Sequence, residues 1–138
     1  MLTRSGVDML LKSGPTSEQI VDATSVVFGI DKSRIINPDD FDALMGALHE
    51  EGWAELRDLS EARYRDDPDW KPYISDGVRF FLSVEFGAAR TRDCEPLAHQ
   101  MAARLNAPVL ISTDKSDTRA SALVFTPEGD VKLGRWPD

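Results

Sequence analysis

The sequence has few of the features that mark a membrane or secreted protein. Its single cysteine, Cys94, excludes an internal disulfide and suits a reducing compartment. No apolar run approaches the roughly 20 residues that a bilayer-spanning helix needs. Near the N-terminus, Asp8 and Lys12 bracket an apolar run that is too short for the core of a signal peptide. These absences predict a cytoplasmic protein with no membrane association.

Recognisable catalytic motifs are also missing. The chain has no glycine-rich phosphate loop, no Gly-x-Ser-x-Gly elbow and no His-Glu-x-x-His helix. Cys94 and His99 lie five residues apart, which places them on different helical faces. Glu95 and His99 have the i, i+4 spacing of metal ligands, but a zinc site needs three or four ligands. We therefore expect no catalytic, cofactor-binding or metal site and no enzyme activity. The alternative is a small enzyme that uses a carboxylate pair or Cys94.

Basic residues are scarce relative to acidic ones, at 16 Lys and Arg against 24 Asp and Glu. Half of the carboxylates lie between Asp31 and Asp69, where twelve acids face five bases, so this stretch carries −7 of the net charge of −8. Phosphate contacts need clustered Lys and Arg, which argues against nucleic acid as a partner. Anionic membrane surfaces are disfavoured for the same reason. A basic protein is the partner that this charge predicts.

Aromatic residues are mixed among these acids, namely Trp53, Tyr64, Trp70 and Tyr73. Tryptophan and tyrosine often anchor interfaces, while surrounding carboxylates steer the approach of a partner. The alternative is an ordinary solvated face, with Trp53 in the core. We predict a binding surface centred on Tyr64, Trp70 and the acids of residues 66–69. The predicted partner-binding residues are Asp39, Asp40, Asp42, Glu50, Glu55, Asp58, Tyr64, Asp66, Asp67, Asp69 and Trp70.

Capping signals and periodicity predict three helices and four strands. The helices run from an N-cap at Thr16 to Gly29, from Asn37 to Gly52, and from Asp93 to Asn106. The strands cover 78–86, 109–113, 120–125 and 131–136, with a turn at residues 126–130. This order predicts one α+β domain over residues 1–138, with a mainly antiparallel sheet of about four strands and about three helices.

Two segments remain ambiguous, and one strand has a clear pattern. Residues 7–11 fit a short strand or a helix, and residues 53–59 fit a strand or a continuation of helical structure. Because Pro68 and Pro72 lie within five residues of each other, we expect a loop over 66–72 and treat residues 53–76 as an irregular acidic and aromatic segment. In residues 78–86 the apolar side chains alternate with polar ones, so one face should enter the core.

The layout of residues 77–136 resembles that of immunity proteins from bacterial polymorphic-toxin and contact-dependent growth inhibition systems. It consists of the stretch 77–86 with its predicted strand, a helix with Leu97, Ala98 and Leu105, the strand 109–112 and the hairpin around 127–130. The resemblance implies a protein that binds and neutralises one cognate toxin domain, often a nuclease, by covering its active site or substrate surface. The alternative is a cytoplasmic adaptor or chaperone-like module for another basic client.

Overall fold

A computed structural model places the strands and helices, and it describes residues 3–4, 6–37, 52–86, 91–112 and 122–133. The strands are β1 (Thr3–Arg4), β2 (Gly6–Lys12), β3 (Ile35–Ile36), β4 (Trp53–Asp58), β5 (Val78–Glu85), β6 (Arg92–Asp93), β7 (Val109–Ser112), β8 (Ala122–Phe125) and β9 (Val131–Leu133). The helices are α1 (Ser17–Phe28), α2 (Ala62–Arg65), α3 (Lys71–Ser75) and α4 (Cys94–Leu105), and a 3-10 turn covers Lys32–Arg34.

Seven of these strands form one sheet in the order β3-β4-β5-β2-β7-β8-β9. The pair β3–β4 is parallel, and every other neighbouring pair in the sheet is antiparallel. Strands β1 and β6 form a separate two-stranded ribbon. The predicted α+β class, single domain and mainly antiparallel sheet are confirmed. The sheet has more strands than the four expected, because β2 and β4 lie in segments whose sequence fits a helix as well as a strand, and β3 has only two residues.

The helix termini follow the predicted caps. The Thr16 hydroxyl accepts a hydrogen bond from the Gln19 amide (3.1 Å), and the Gln19 side chain accepts one from the Thr16 amide (2.9 Å). Gly29 ends α1 with φ 68°, a left-handed conformation that glycine adopts without strain. At α4, the Asp93 carboxylate accepts a hydrogen bond from the Glu95 amide, and Asn106 closes the helix with φ 48°. The helix predicted between Asn37 and Gly52 lies outside the described residues except at its two ends.

Helices α1 and α4 pack on one face of the sheet and enclose the larger of two hydrophobic cores, which we call the first core. Alternation along β5 directs Phe80, Leu82 and Val84 into it, as the sequence pattern predicts. Strand β2 contributes Val7, Met9 and Leu11 in the same way. The helices supply the residues Ile20, Ala23, Val27, Phe28, Cys94, Leu97, Ala98, Met101 and Ala102.

The segment 53–76, expected to be irregular, contains three regular elements instead, and for residues 53–59 the strand alternative is the correct one. Its first part is β4, which pairs antiparallel with β5 along its whole length. Ala54 and Leu56 face the first core, whereas the intervening Glu55 and Arg57 face away, which is why the sequence pattern of β4 is weak. The remainder forms α2 and α3. A strand that is buried on only one face can be polar at every second position.

Residues 59–77 fold back over the second face of the sheet. There a smaller cluster, the second core, joins the sheet to this segment. Its buried members are Leu10, Leu59, Tyr64, Val78, Leu110 and Val124, with Trp70, Tyr73, Ile74 and Phe81 packed at its margin. Helices of four and five residues are too short to be stable alone. Their position therefore depends on the aromatic side chains that bind them to the sheet.

Candidate partner-binding surface

The second face of the sheet is divided into an apolar part under residues 59–77 and a polar part beside it. The register places Asp8 opposite Ser83, and Ser83 opposite Glu55, in one row across three strands. The next row places Glu85 between Gly6 and Trp53. We call these rows the polar half, and its side chains are Asp8, Trp53, Glu55, Ser83 and Glu85.

The polar half is accessible to solvent and is acidic. Asp8 is exposed although it lies on an interior strand, and the other four side chains are half-buried. Gly6 leaves room for the Glu85 carboxylate. A Cβ atom at Gly6 would lie 3.0 Å from the Glu85 carboxyl carbon and 2.8 Å from the Val84 carbonyl oxygen. Three carboxylates thus share this surface with one tryptophan.

The predicted acidic loop forms a tight turn over residues 66–69, which we call the acidic turn. Asp67 organises it, because its carboxylate accepts a hydrogen bond from the Asp69 amide at 2.9 Å. Its main-chain carbonyl accepts further bonds from the amides of Trp70 and Lys71. Asp66 and Asp69 are exposed. The turn therefore presents at least two carboxylates to solvent from a fixed backbone.

Arg57 connects the acidic turn to the polar half. Its guanidinium carbon lies 4.9 Å from the centroid of the Trp70 ring, and its Nη2 atom donates a hydrogen bond to Glu55 Oε2 at 3.4 Å. Trp70 also makes an edge-to-face contact with Phe81, with ring centroids 5.0 Å apart. The acidic turn, the half-buried indole and the polar half therefore form one continuous surface. This surface brings together Glu55, Asp66, Asp67, Asp69 and Trp70 of the predicted set.

Tyr64 occupies a different position from the one expected for an interface anchor. Its side chain is only 4% exposed and belongs to the second core. The Arg63 guanidinium lies over its ring at 4.6 Å, and Trp70 meets it edge-on at 5.7 Å. In this conformation Tyr64 holds the acidic turn in place from beneath, and only Trp70 of the two aromatic residues reaches the surface.

Asp58 has a structural role at the end of β4. Its carboxylate accepts hydrogen bonds from the Ser60 hydroxyl (2.7 Å) and amide (3.0 Å) and pairs with Arg79 at 3.3 Å. Partial burial by itself raises the pKa of Asp58, but the bonds from Ser60 and Arg79 outweigh it and hold the pKa below its ordinary value. A carboxylate already bound by these groups is less available to a partner.

The remaining predicted residues, Asp39, Asp40, Asp42 and Glu50, lie outside the described residues. Asp8 and Glu85 lie on the polar half, although they are not among the partner-binding residues predicted from the sequence. Asp8 alternates with buried Val7 and Met9, and that alternation is the signal that places it on the opposite face once β2 is known to be a strand.

The exposed charge of this surface is mainly negative, which favours positively charged groups over negatively charged ones. Across the described residues there is no group of three His, Cys, Asp or Glu side chains that could hold a metal ion. In the same part of the chain, no helix has the length and apolar character needed to cross a membrane.

Compared with known proteins, the chain matches no family model, no curated protein and no solved structure.

Proposed function

We propose that this is a non-catalytic, cytoplasmic binding protein that neutralises a basic toxin domain, in the manner of an immunity protein. The observation that supports this proposal is the continuous surface formed by the acidic turn, Trp70 and the polar half. Its carboxylates suit a positively charged partner, and a nuclease domain carries positive charge where it holds phosphates. The proposal assigns the surface to blocking that region of the toxin.

Charge and aromatic contact would contribute differently to such binding. Long-range attraction raises association rates by about 10- to 1,000-fold and weakens as salt is added. Exposed ion pairs contribute little affinity, on the order of 0–1 kcal/mol each. Tight binding therefore requires a desolvated centre, and the half-buried indole of Trp70, with Arg57 beside it, is the most suitable group on this surface.

The first experiment is a pull-down from the source cells at low and high salt, followed by expression of the captured partner alone and together with this protein. The expected partner is basic, stops growth when expressed alone and is harmless in the presence of this protein. A basic partner that is harmless on its own would contradict the toxin assignment and favour the adaptor alternative.

The surface is tested by changing Asp66, Asp67 and Asp69 together to asparagine. We expect weaker binding and weaker protection, with most of the loss in the association rate and less salt dependence than in the wild type. The matched control changes three other exposed acids, Glu18→Gln, Glu128→Gln and Asp130→Asn, and so alters the net charge equally. Equal loss in both variants would mean that only the total charge matters and would contradict this surface.

A further inference from the structure

The contacts of Arg57 resemble the way in which proteins recognise an arginine from a partner. A guanidinium that lies on an aromatic face and donates to a carboxylate uses both its planar surface and its N–H groups. Here the aromatic face is Trp70, 4.9 Å from the guanidinium carbon, and the carboxylate is Glu55, 3.4 Å from Nη2. The protein thus contains a guanidinium site that its own arginine fills.

The occupancy by Arg57 is loose. Charge-assisted N–H···O bonds are usually about 2.7–2.9 Å long, and an arginine–carboxylate pair is strongest when it is bidentate. The bond to Glu55 is 3.4 Å long and joins a single nitrogen to a single oxygen. The Arg57 side chain is 26% exposed, so it can leave toward solvent without unfolding the strand that carries it.

The carboxylates at and near the site favour a positively charged group beside Glu55. The Glu55 side chain is half-buried, with 16% of it exposed, so a positively charged partner stabilises its carboxylate more than it would stabilise a fully exposed one. Asp8 lies two strands away in the same row, where it adds negative potential without being buried. Any movement of Arg57 away from Glu55 would therefore favour entry of another guanidinium group.

We infer that Glu55 and Trp70 form an arginine-binding site, that Arg57 occupies it in the free protein, and that an arginine of the basic partner displaces Arg57 on binding. This inference rests on the proposed function, since it assigns the partner's contact residue at the same surface. Lysine is a poorer ligand for this site, because its ammonium group lacks the planar face that stacks on an indole. The site therefore selects arginine over lysine.

The test uses two capped tetrapeptides that are identical except for two arginines in one and two lysines in the other. Binding is followed by the nuclear magnetic resonance signal of the Trp70 indole N–H in the full-length protein. Arg57→Ala should bind the arginine peptide about tenfold more tightly than the wild type does, with a smaller gain for the lysine peptide. Arg57→Lys serves if the alanine variant does not fold, and it should also gain affinity for the arginine peptide.

The matched control is Arg65→Ala, which removes an exposed arginine of the neighbouring α2 and changes the net charge by the same amount. It should leave the affinity for the arginine peptide unchanged, and Arg57→Ala combined with Glu55→Gln should abolish the gain. Equal gains for Arg57→Ala and Arg65→Ala would overturn the inference, as would equal gains for the two peptides.

The peptide assay contains no toxin, so it tests the arginine site independently of the proposed function. Protection of cells together with no arginine selectivity would overturn the arginine site and leave the proposed function standing. Arginine selectivity together with a partner that is not toxic would support the site and overturn the toxin assignment.

Discussion

The two faces of the sheet are covered in different ways. On the first face, two capped helices of twelve residues each lie over a core that is largely aliphatic. On the second face, helices of four and five residues are held by tyrosine and tryptophan rings with arginine side chains over them. The first face contains the main stabilising core, whereas the second combines a thinner core with the proposed binding surface. If the proposed function holds, stability and binding depend on opposite sides of one sheet.

Neighbouring phenylalanines on β5 provide the sharpest test of this comparison. Phe80 is fully buried in the first core, while Phe81 points the opposite way and is half-buried at the margin of the second. Phe80→Ala should lower the free energy of unfolding by about 3–5 kcal/mol, because it leaves a large cavity in a closely packed region. Phe81→Ala should lower it by about 1–3 kcal/mol, since part of its ring already contacts water. Urea unfolding of both variants measures the difference.

The same pair distinguishes global from local effects. Hydrogen exchange in Phe81→Ala should accelerate mainly in residues 59–77, because that segment depends on aromatic contacts with the sheet. In Phe80→Ala, exchange should accelerate in α1 and α4 as well. If both variants lost the same stability and exchanged uniformly, the two cores would be one cooperative unit and the comparison would fail.

The helices and β5 of the first face could be predicted from local sequence, whereas the strands β2 and β4 and the segment that covers the second face could not. Thr16 and Gly29 determine the ends of α1 through hydrogen bonds and backbone conformation within a few residues, so their signals are local. The alternation of β5 is equally local. In contrast, Tyr64 is surrounded in sequence by charged residues, and only the return of the chain across the sheet buries it. The continuity of the candidate surface depends on strand register, which brings Glu55 opposite Ser83 and which no single segment encodes.

A smaller effect on the free energy of unfolding is expected when Asp58, which lies directly before the segment 59–77, is substituted. Its lowered pKa means that the folded protein binds this proton less readily than the unfolded chain does. The contribution of Asp58 to stability is therefore fully present above its unfolded pKa of about 3.9 and is lost as the pH falls through the lower folded value. Asp58→Asn should lose less than about 1 kcal/mol at neutral pH, because a partly exposed ion pair contributes little.

Urea unfolding between pH 2 and pH 7 tests this expectation. Stability of the wild type should decrease below about pH 4, and the decrease should be smaller in Asp58→Asn. Asp58→Ala is the control for the turn, because asparagine can still accept a hydrogen bond from the Ser60 amide while alanine cannot. Identical pH profiles for the wild type and Asp58→Asn would show that the charge of Asp58 does not stabilise the start of the segment.

The smallest expected change in the free energy of unfolding comes from removing the Tyr64 hydroxyl, and it is the only change expected to stabilise the protein. This group is buried in the second core and has no hydrogen-bond partner among the described residues. An unsatisfied buried polar group costs about 1–3 kcal/mol, so its removal should not harm the fold. Tyr64→Phe should leave the stability unchanged or raise it by up to about 1 kcal/mol.

Tyr73→Phe is the matched control, since Tyr73 is half-buried and its substitution should be neutral. A loss of more than about 1 kcal/mol in Tyr64→Phe would mean that the hydroxyl is hydrogen-bonded in solution. The second core would then be held by a polar contact as well as by ring packing, and its difference from the first core, whose members are almost all apolar, would be greater still.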